Sequence, residues 1–219
     1  ASRPVGSSLY SAMPVKRMPQ QSSFNDIHQF WFGENDGLTP PADKADMWFG
    51  NGRAYDDTIR ARFGALLDFA AAGSFDSWRD EPRSSLALIL VLDQFPRHVH
   101  RDSARAFAYD AKAREVCLSG IATGHDFALT PLERSFYYMP LEHAEDRALQ
   151  ERSVALFQSL RDTAGEDVRE AYEHTLHYAV AHRDIVVRFG RFPHRNELLE
   201  REMTAEEADF LSQPDSSFL

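Results

Sequence analysis

From Phe24 onward, apolar residues recur at three- and four-residue spacings, and no segment shows the period-two alternation of a half-buried strand. Residues 54 to 72 place Ile59, Phe63, Leu66, Leu67 and Ala70 on one helical face and stop at Gly73. Glu166 to Phe189 is the longest predicted helix, with Gly190 at its end. A chain patterned in this way is expected to be all-α, an antiparallel helical array without a β-sheet.

Punctuation residues divide the pattern. Asn25 or Asp26 is expected to cap a first helix through Ile27, Phe30 and Trp31. Pro82 opens a helix through Leu86, Ile89, Leu90 and Asp93, and Pro96 is expected to close it. Asp102 or Ser103 caps a predicted long helix reaching about Thr123. Thr130-Pro131-Leu132-Glu133 reads as a capping box, with the short helix after it broken at Pro140 and a further helix over Leu141 to Leu160. Thr204-Ala205-Glu206-Glu207 is a second box. No long repeat recurs cleanly, but Gln94-Phe95-Pro96-Arg97-His98 and Arg191-Phe192-Pro193-His194-Arg195 share a Phe-Pro element. It is either a helix-stop device used twice or a pair of elements lining one site.

Charge and cysteine usage bound the function. The 219 residues carry a formal charge of −10. Residues 1 to 23 hold Arg3, Lys16 and Arg17 and no acid, so they read as a basic, Ser/Pro-rich arm, and residues 24 to 219 as a single acidic all-α domain. The arm lacks acids as transit peptides do, but Pro4, Pro14 and Pro19 interrupt any amphipathic helix. A net acidic chain argues against nucleic acid as a partner, since phosphate tracking needs clustered bases. The richest apolar run, Leu86 to Leu92, is far shorter than the ~20 residues of a membrane span, so no membrane partner is expected. Cys117 has no second cysteine to pair with and sits in an apolar-faced helix, which reads as a buried inert thiol in a reducing cytosol.

Four polar clusters could carry chemistry. In the first, Asp93 and Gln94 end an apolar helix, where the macrodipole disfavours a carboxylate, so Arg97 or Arg101 is expected to compensate it. In the second, Glu142 and Asp146 stand at i and i+4 with His143 and Glu145 between them. Neither glutamate precedes a histidine by three, which weighs against a di-iron-type site, and neither metal nor cofactor is expected. In the third, His174, Tyr178 and His182 line one face of the longest helix, with Glu142, Asp146 or Asp93 as conceivable partners. In the fourth, Gly190 permits a left-handed turn before Pro193, and Arg191, His194, Arg195 and Asn196 offer donors for an anion.

These motifs carry a family resemblance. Leu92 to Arg97, Glu133 to His143 and Phe189 to Asn196, with Phe30-Trp31-Phe32-Gly33 and Thr204 to Leu211, resemble the helical family catalogued as domain of unknown function nine-twenty-four over residues 24 to 218. The resemblance implies a tetratricopeptide-like superhelix and brings no catalytic residues with it. Three functional readings follow from the residues. The leading one is a concave polar site for a small polar or anionic ligand or a short peptide, made of Asp93, Gln94, Arg97, Arg101, Glu142, Tyr178, His182, Arg191, His194, Arg195 and Asn196. The second is a metal-independent enzyme with catalytic candidates Glu142, His143, Asp146, His182 and His194, in which Glu142 or Asp146 tunes His143 or His182 as a general base and Arg191 and Arg195 hold an anionic substrate. The third is a protein-interaction scaffold. Oligomeric state leaves no readable trace.

Overall fold

The computed structural model describes residues 23–214 and 216, and residues 1–22 of the basic arm lie outside them. Ten α-helices and no strand occur among the described residues. They are α1 (Phe24–Phe32), α2 (Ala42–Phe49), α3 (Asp56–Ala71), α4 (Pro82–Ile89), α5 (Phe95–Val99), α6 (Asp110–Thr123), α7 (Pro131–Glu142), α8 (Arg147–Thr163), α9 (Arg169–Phe189) and α10 (Ala205–Leu211). Links of four and five residues join α7 to α8 and α8 to α9, which makes these consecutive helices antiparallel neighbours. α3 packs on α5, and α4 lies against α1, α6 and α7.

The main core fills with aromatic rings. Trp31 is fully buried against Phe95 and Phe136, Trp48 meets Phe136 at 4.6 Å between centroids, and Phe63 stacks on Phe95 at 4.9 Å. Such contacts add to the burial of large apolar area. A smaller core of Ile185, Val186 and Phe192 sits under the segment after α9. Cys117 is fully buried among the main-core residues, and burial raises its thiol pKa well above the usual range.

Several expected boundaries move, each for a local reason. Ser23 rather than Asn25 or Asp26 caps α1, with Asp26 returning the bond to the Ser23 amide in a full capping box. α2 is an element without a period to announce it: eight residues, no side-chain cap, and Met47 its one buried residue. Pro96 does not end the α4 segment. A π-helical turn, Leu90–Gln94, absorbs an extra residue and α5 continues through Pro96 at its start. Ser103 does cap, but it caps a 3-10 turn over Ala104–Phe107, so the long helix begins later, at Asp110. Pro140 stays inside α7, costing one bond in the last turn without breaking the helix. The expected helix over Leu141 to Leu160 therefore starts at Arg147, with Asp146 as its cap.

Candidate functional site

The two Phe-Pro elements converge on one carboxylate. Asp110 opens α6, where an acid suits the helix dipole. Arg97, just after Phe95-Pro96, holds it with two bonds of 3.1 and 3.2 Å. Arg195, two residues after Pro193, reaches the same carboxylate at 3.4 Å through Nη1. Phe95 and Phe192 are both fully buried, so each phenylalanine anchors a core while its arginine turns toward Asp110. The two elements thus share a partner in Asp110, but the first is not a helix stop, since the helix runs on through Pro96.

Behind this pair lies Asp93, carried by the π turn and fully buried. Gln94 donates to it at 2.6 Å, His143 Nδ1 lies 2.9 and 3.0 Å from its two oxygens, and Arg97 pairs with it at 3.5 Å while also donating to its carbonyl. Burial alone would raise the Asp93 pKa; Arg97, His143 and Gln94 reverse this and hold it well below the carboxylate range. Arg101 plays no part there. It grips Asp56 through Nε and Nη2 at 2.5 and 2.7 Å, with His98 Nδ1 2.8 Å from the same acid, in a separate cluster beside Trp31.

His143 is the C-cap of α7, and the turn it begins is pinned from below. Fully buried Gln150 donates to the carbonyls of Glu142 and Ala144 at 2.6 and 2.7 Å. Because α7 and α8 are separate helices, Glu142 and Asp146 do not share a helical face as i and i+4 partners. Glu142 turns toward His182 Nδ1 at 3.0 Å, a nitrogen that also lies 2.8 Å from the Tyr178 carbonyl. Asp146 accepts from the Leu149 amide as a cap. The His143 and His182 rings meet edge-on at 6.0 Å, and His182 meets Phe192 in the same way at 5.5 Å.

The segment after α9 is fixed by Gly190 in the left-handed region, φ 73°, and by Arg201. Arg201 donates to both Glu145 oxygens at 2.7 and 3.0 Å, to the Phe192 carbonyl and to Asn196 Oδ1. The Phe192 amide adds a bond to Glu145. This staple sets Arg195 and His194 against the α7–α8 turn. Arg191 faces away from Asp110, gripping Glu207 of α10 at 2.6 and 2.8 Å. Tyr178 is 42% exposed, with its ring against His174 and His177.

A cleft of about 590 Å³ opens over this arrangement, lined among others by Phe107, Asp110, Arg114, His143, Glu145 and Arg195. Its most unusual member is Arg195. The side chain is 7% exposed, its guanidinium carbon lies 4.6 Å from the Phe107 ring centre and 4.5 Å from that of Phe192, and its buried Nε has no hydrogen-bond partner. Burial and the neighbouring Arg97 bring its pKa down to about 10, so it stays charged at neutral pH. The Arg114 side chain makes no hydrogen bond or ion pair with another described residue. His143 is neutral in this setting, since burial and Arg97 lower its pKa against the opposing pull of Asp93. His194, beside Phe192, is pushed down to about 3 by burial and Arg195.

Of the ligand residues expected from sequence, Asp93, Gln94 and Arg97 join Arg195 through shared partners. Glu142 and His182 form an adjoining pair, Asn196 belongs to the Arg201 staple, and Arg101, Arg191 and Tyr178 face elsewhere. Asp110, Arg114, Glu145 and Arg201 were outside the expected ligand set. A helix start placed at Asp110 instead of Ser103 would have marked Asp110 as a first-turn acid. No group of three or more His, Cys, Asp or Glu side chains among the described residues is arranged to hold a metal ion.

Fold and cleft together define an all-helical protein with a buried arginine–carboxylate–histidine network below an open polar cleft. The chain belongs to DUF924, a family of bacterial proteins of unknown function, whose model matches residues 27–215. A protein of unknown function from Agrobacterium tumefaciens, ATU0120, has a similar solved structure. The two chains are 42% identical, with a TM-score of 0.72 over 86% of this chain and 96% of that one. No curated protein matches the sequence.

Proposed function

We propose that the protein binds a small anionic molecule in the cleft, with Arg195 as its principal contact. The observation that carries this reading is the state of Arg195, a buried guanidinium with one long bond to Asp110 and an unpartnered Nε. Five N–H donors on a desolvated cation demand acceptors, and an anion in the cleft supplies them. Arg114 on the cleft wall adds a second cation. The volume of about 590 Å³ suits a small molecule better than a peptide. A tetratricopeptide-like arrangement belongs to the same proposal and is supported by the consecutive α7–α8 and α8–α9 hairpins. So does a cytosolic setting, supported by the single buried Cys117.

Thermal denaturation with inorganic phosphate, succinate and terephthalate, at ionic strength matched with chloride, tests the proposal. A binding anion at 100 times its Kd adds about 2.7 kcal/mol of stability, a rise of roughly 5–10 °C for a chain of this size. Arg195→Gln is expected to remove the shift, while Arg101→Gln, in the separate Asp56 cluster, keeps it. Equal shifts in the parent and Arg195→Gln, or no shift with any of the three anions, would overturn the site.

A further inference from the structure

Resting on that reading, we propose that His143 is a general base and that the cleft hydrolyses small carboxylic esters bearing an anionic group. The argument begins with the tautomer. Asp93 is ionised and can only accept, so the proton between it and His143 must sit on Nδ1. That leaves the lone pair on Nε2. His143 lines the cleft, and its Nε2 has no hydrogen-bond partner among the described residues. An imidazole oriented by a buried carboxylate, with its second nitrogen facing a site, is the arrangement required of a base that takes a proton from water.

The surroundings support this assignment. Asp93 and Arg97 face His143 from the π turn and α5, Glu142 precedes it in α7, His182 faces it from α9, and His194 stands beyond Phe192. The carboxylate of Asp93 is fixed by Gln94 and Arg97, so it acts as a positioning residue that does not itself touch substrate. The side chains lining the cleft include no Ser, Thr or Cys that would serve as a nucleophile. Water is therefore the attacking group.

In the proposed step, a water oxygen attacks the ester carbonyl carbon as its proton passes to His143 Nε2. Negative charge develops on the carbonyl oxygen, and the cationic wall of Arg195 and Arg114 stabilises it together with the substrate's anionic group. Collapse breaks the bond to the alcohol oxygen, which takes the proton back from His143. One water is consumed, and an acid and an alcohol leave.

The probe is the mono-4-nitrophenyl ester of terephthalate, whose rigid para carboxylate cannot attack its own ester, with 4-nitrophenyl benzoate as the neutral control. The proposal predicts kcat/KM at least ~10-fold higher for the anionic ester and a solvent isotope effect of about 2 or more. His143→Gln should lower kcat by about 100-fold or more. Its glutamine amide can still donate to Asp93, and thermal melts report whether it folds. Asp93→Asn should lower kcat and change the acid limb of the pH profile with little change in KM, whereas Arg195→Gln should raise KM for the anionic ester and lower kcat for both esters. Terephthalate itself should stabilise His143→Gln as it does the parent. If terephthalate stabilises both but the ester is hydrolysed no faster than in buffer, binding stands and the base assignment falls. Equal hydrolysis by parent and His143→Gln, or equal rates on the two esters, overturns it as well. The parent alone also decides the matter: a rate rising in proportion to hydroxide throughout, with no plateau, excludes His143 as the base.

Discussion

Gly120 and Tyr137 illustrate how little freedom the interior leaves at single positions. A Cβ placed on Gly120 would lie 1.7 Å from the Tyr137 hydroxyl, so the glycine is set by close approach; its backbone is ordinary helix. That hydroxyl is committed to Ser85 at 2.8 Å, and the ring is fully buried between α4 and α6. Gly120→Ala must displace the ring or break the bond, an overpacking cost of about 1–3 kcal/mol. Tyr137→Phe alone should cost about 1 kcal/mol for the orphaned serine. Introduced into Gly120→Ala, the same change should recover part of the loss, because it removes the 1.7 Å contact and leaves the ring carbon Cζ at 2.8 Å. Urea unfolding of the four proteins of this cycle measures the coupling. Independent, additive losses would show that the hydroxyl is not what excludes a side chain at 120.

Among the elements, α10 is tied down by very few contacts. Thr204 and Glu207 form its capping box, and Arg191, just past the end of α9, holds Glu207 with a bidentate pair while donating to the Glu202 carbonyl. Phe210 packs on Phe189, which is the main apolar support. Arg191→Met leaves the Glu207 carboxylate without its cation and loosens the start of α10. Hydrogen exchange at residues 205–211 should accelerate about 10- to 100-fold, with amides of α3 and α4 unchanged. Unaltered protection in α10 would mean that its packing suffices. Both the second capping box and the arginine that serves it were legible in sequence, but their connection was not, because it links residues 16 positions apart across a bend. The same limit explains the site. Local signals announced Asp93, His143 and the two Phe-Pro elements, whereas the junction of Arg97 and Arg195 at Asp110 depends on packing that no short window contains. Where local signals misled, at Ser103, Pro96 and Pro140, each residue does its usual work but the neighbouring backbone accommodates it as a 3-10 turn, a π turn and a helix that continues.

At the scale of the molecule, the acidic body encloses ionisable groups held away from water, and this makes stability depend on pH before the carboxylates titrate. His98, His143 and His194 each have a lowered pKa, with burial as the largest cause, reinforced by Arg101, Arg97 and Arg195 respectively; for His194 it falls to about 3. The sign follows from proton counting. Below the unfolded histidine pKa of ~6.5 the unfolded chain binds protons that the folded chain refuses, so unfolding becomes easier as pH falls. The stability is complete above ~6.5 and is lost as pH descends toward the folded values. Each histidine kept neutral contributes a slope of up to about 1.4 kcal/mol per pH unit. Asp93, Glu145 and Glu207 also have lowered values, Glu207 down to about 2, so their contributions are present above ~4 and are lost only below it. Two stages are therefore expected: a decline beginning between pH 7 and 6, then a steeper one below about 4. Urea midpoints at half-unit intervals from pH 8 to 4.5 resolve the first stage, and His194→Gln should make it shallower by close to one histidine's share. A flat profile down to pH 5, or an unchanged slope in His194→Gln, would mean that these imidazoles accept their protons without opening the fold.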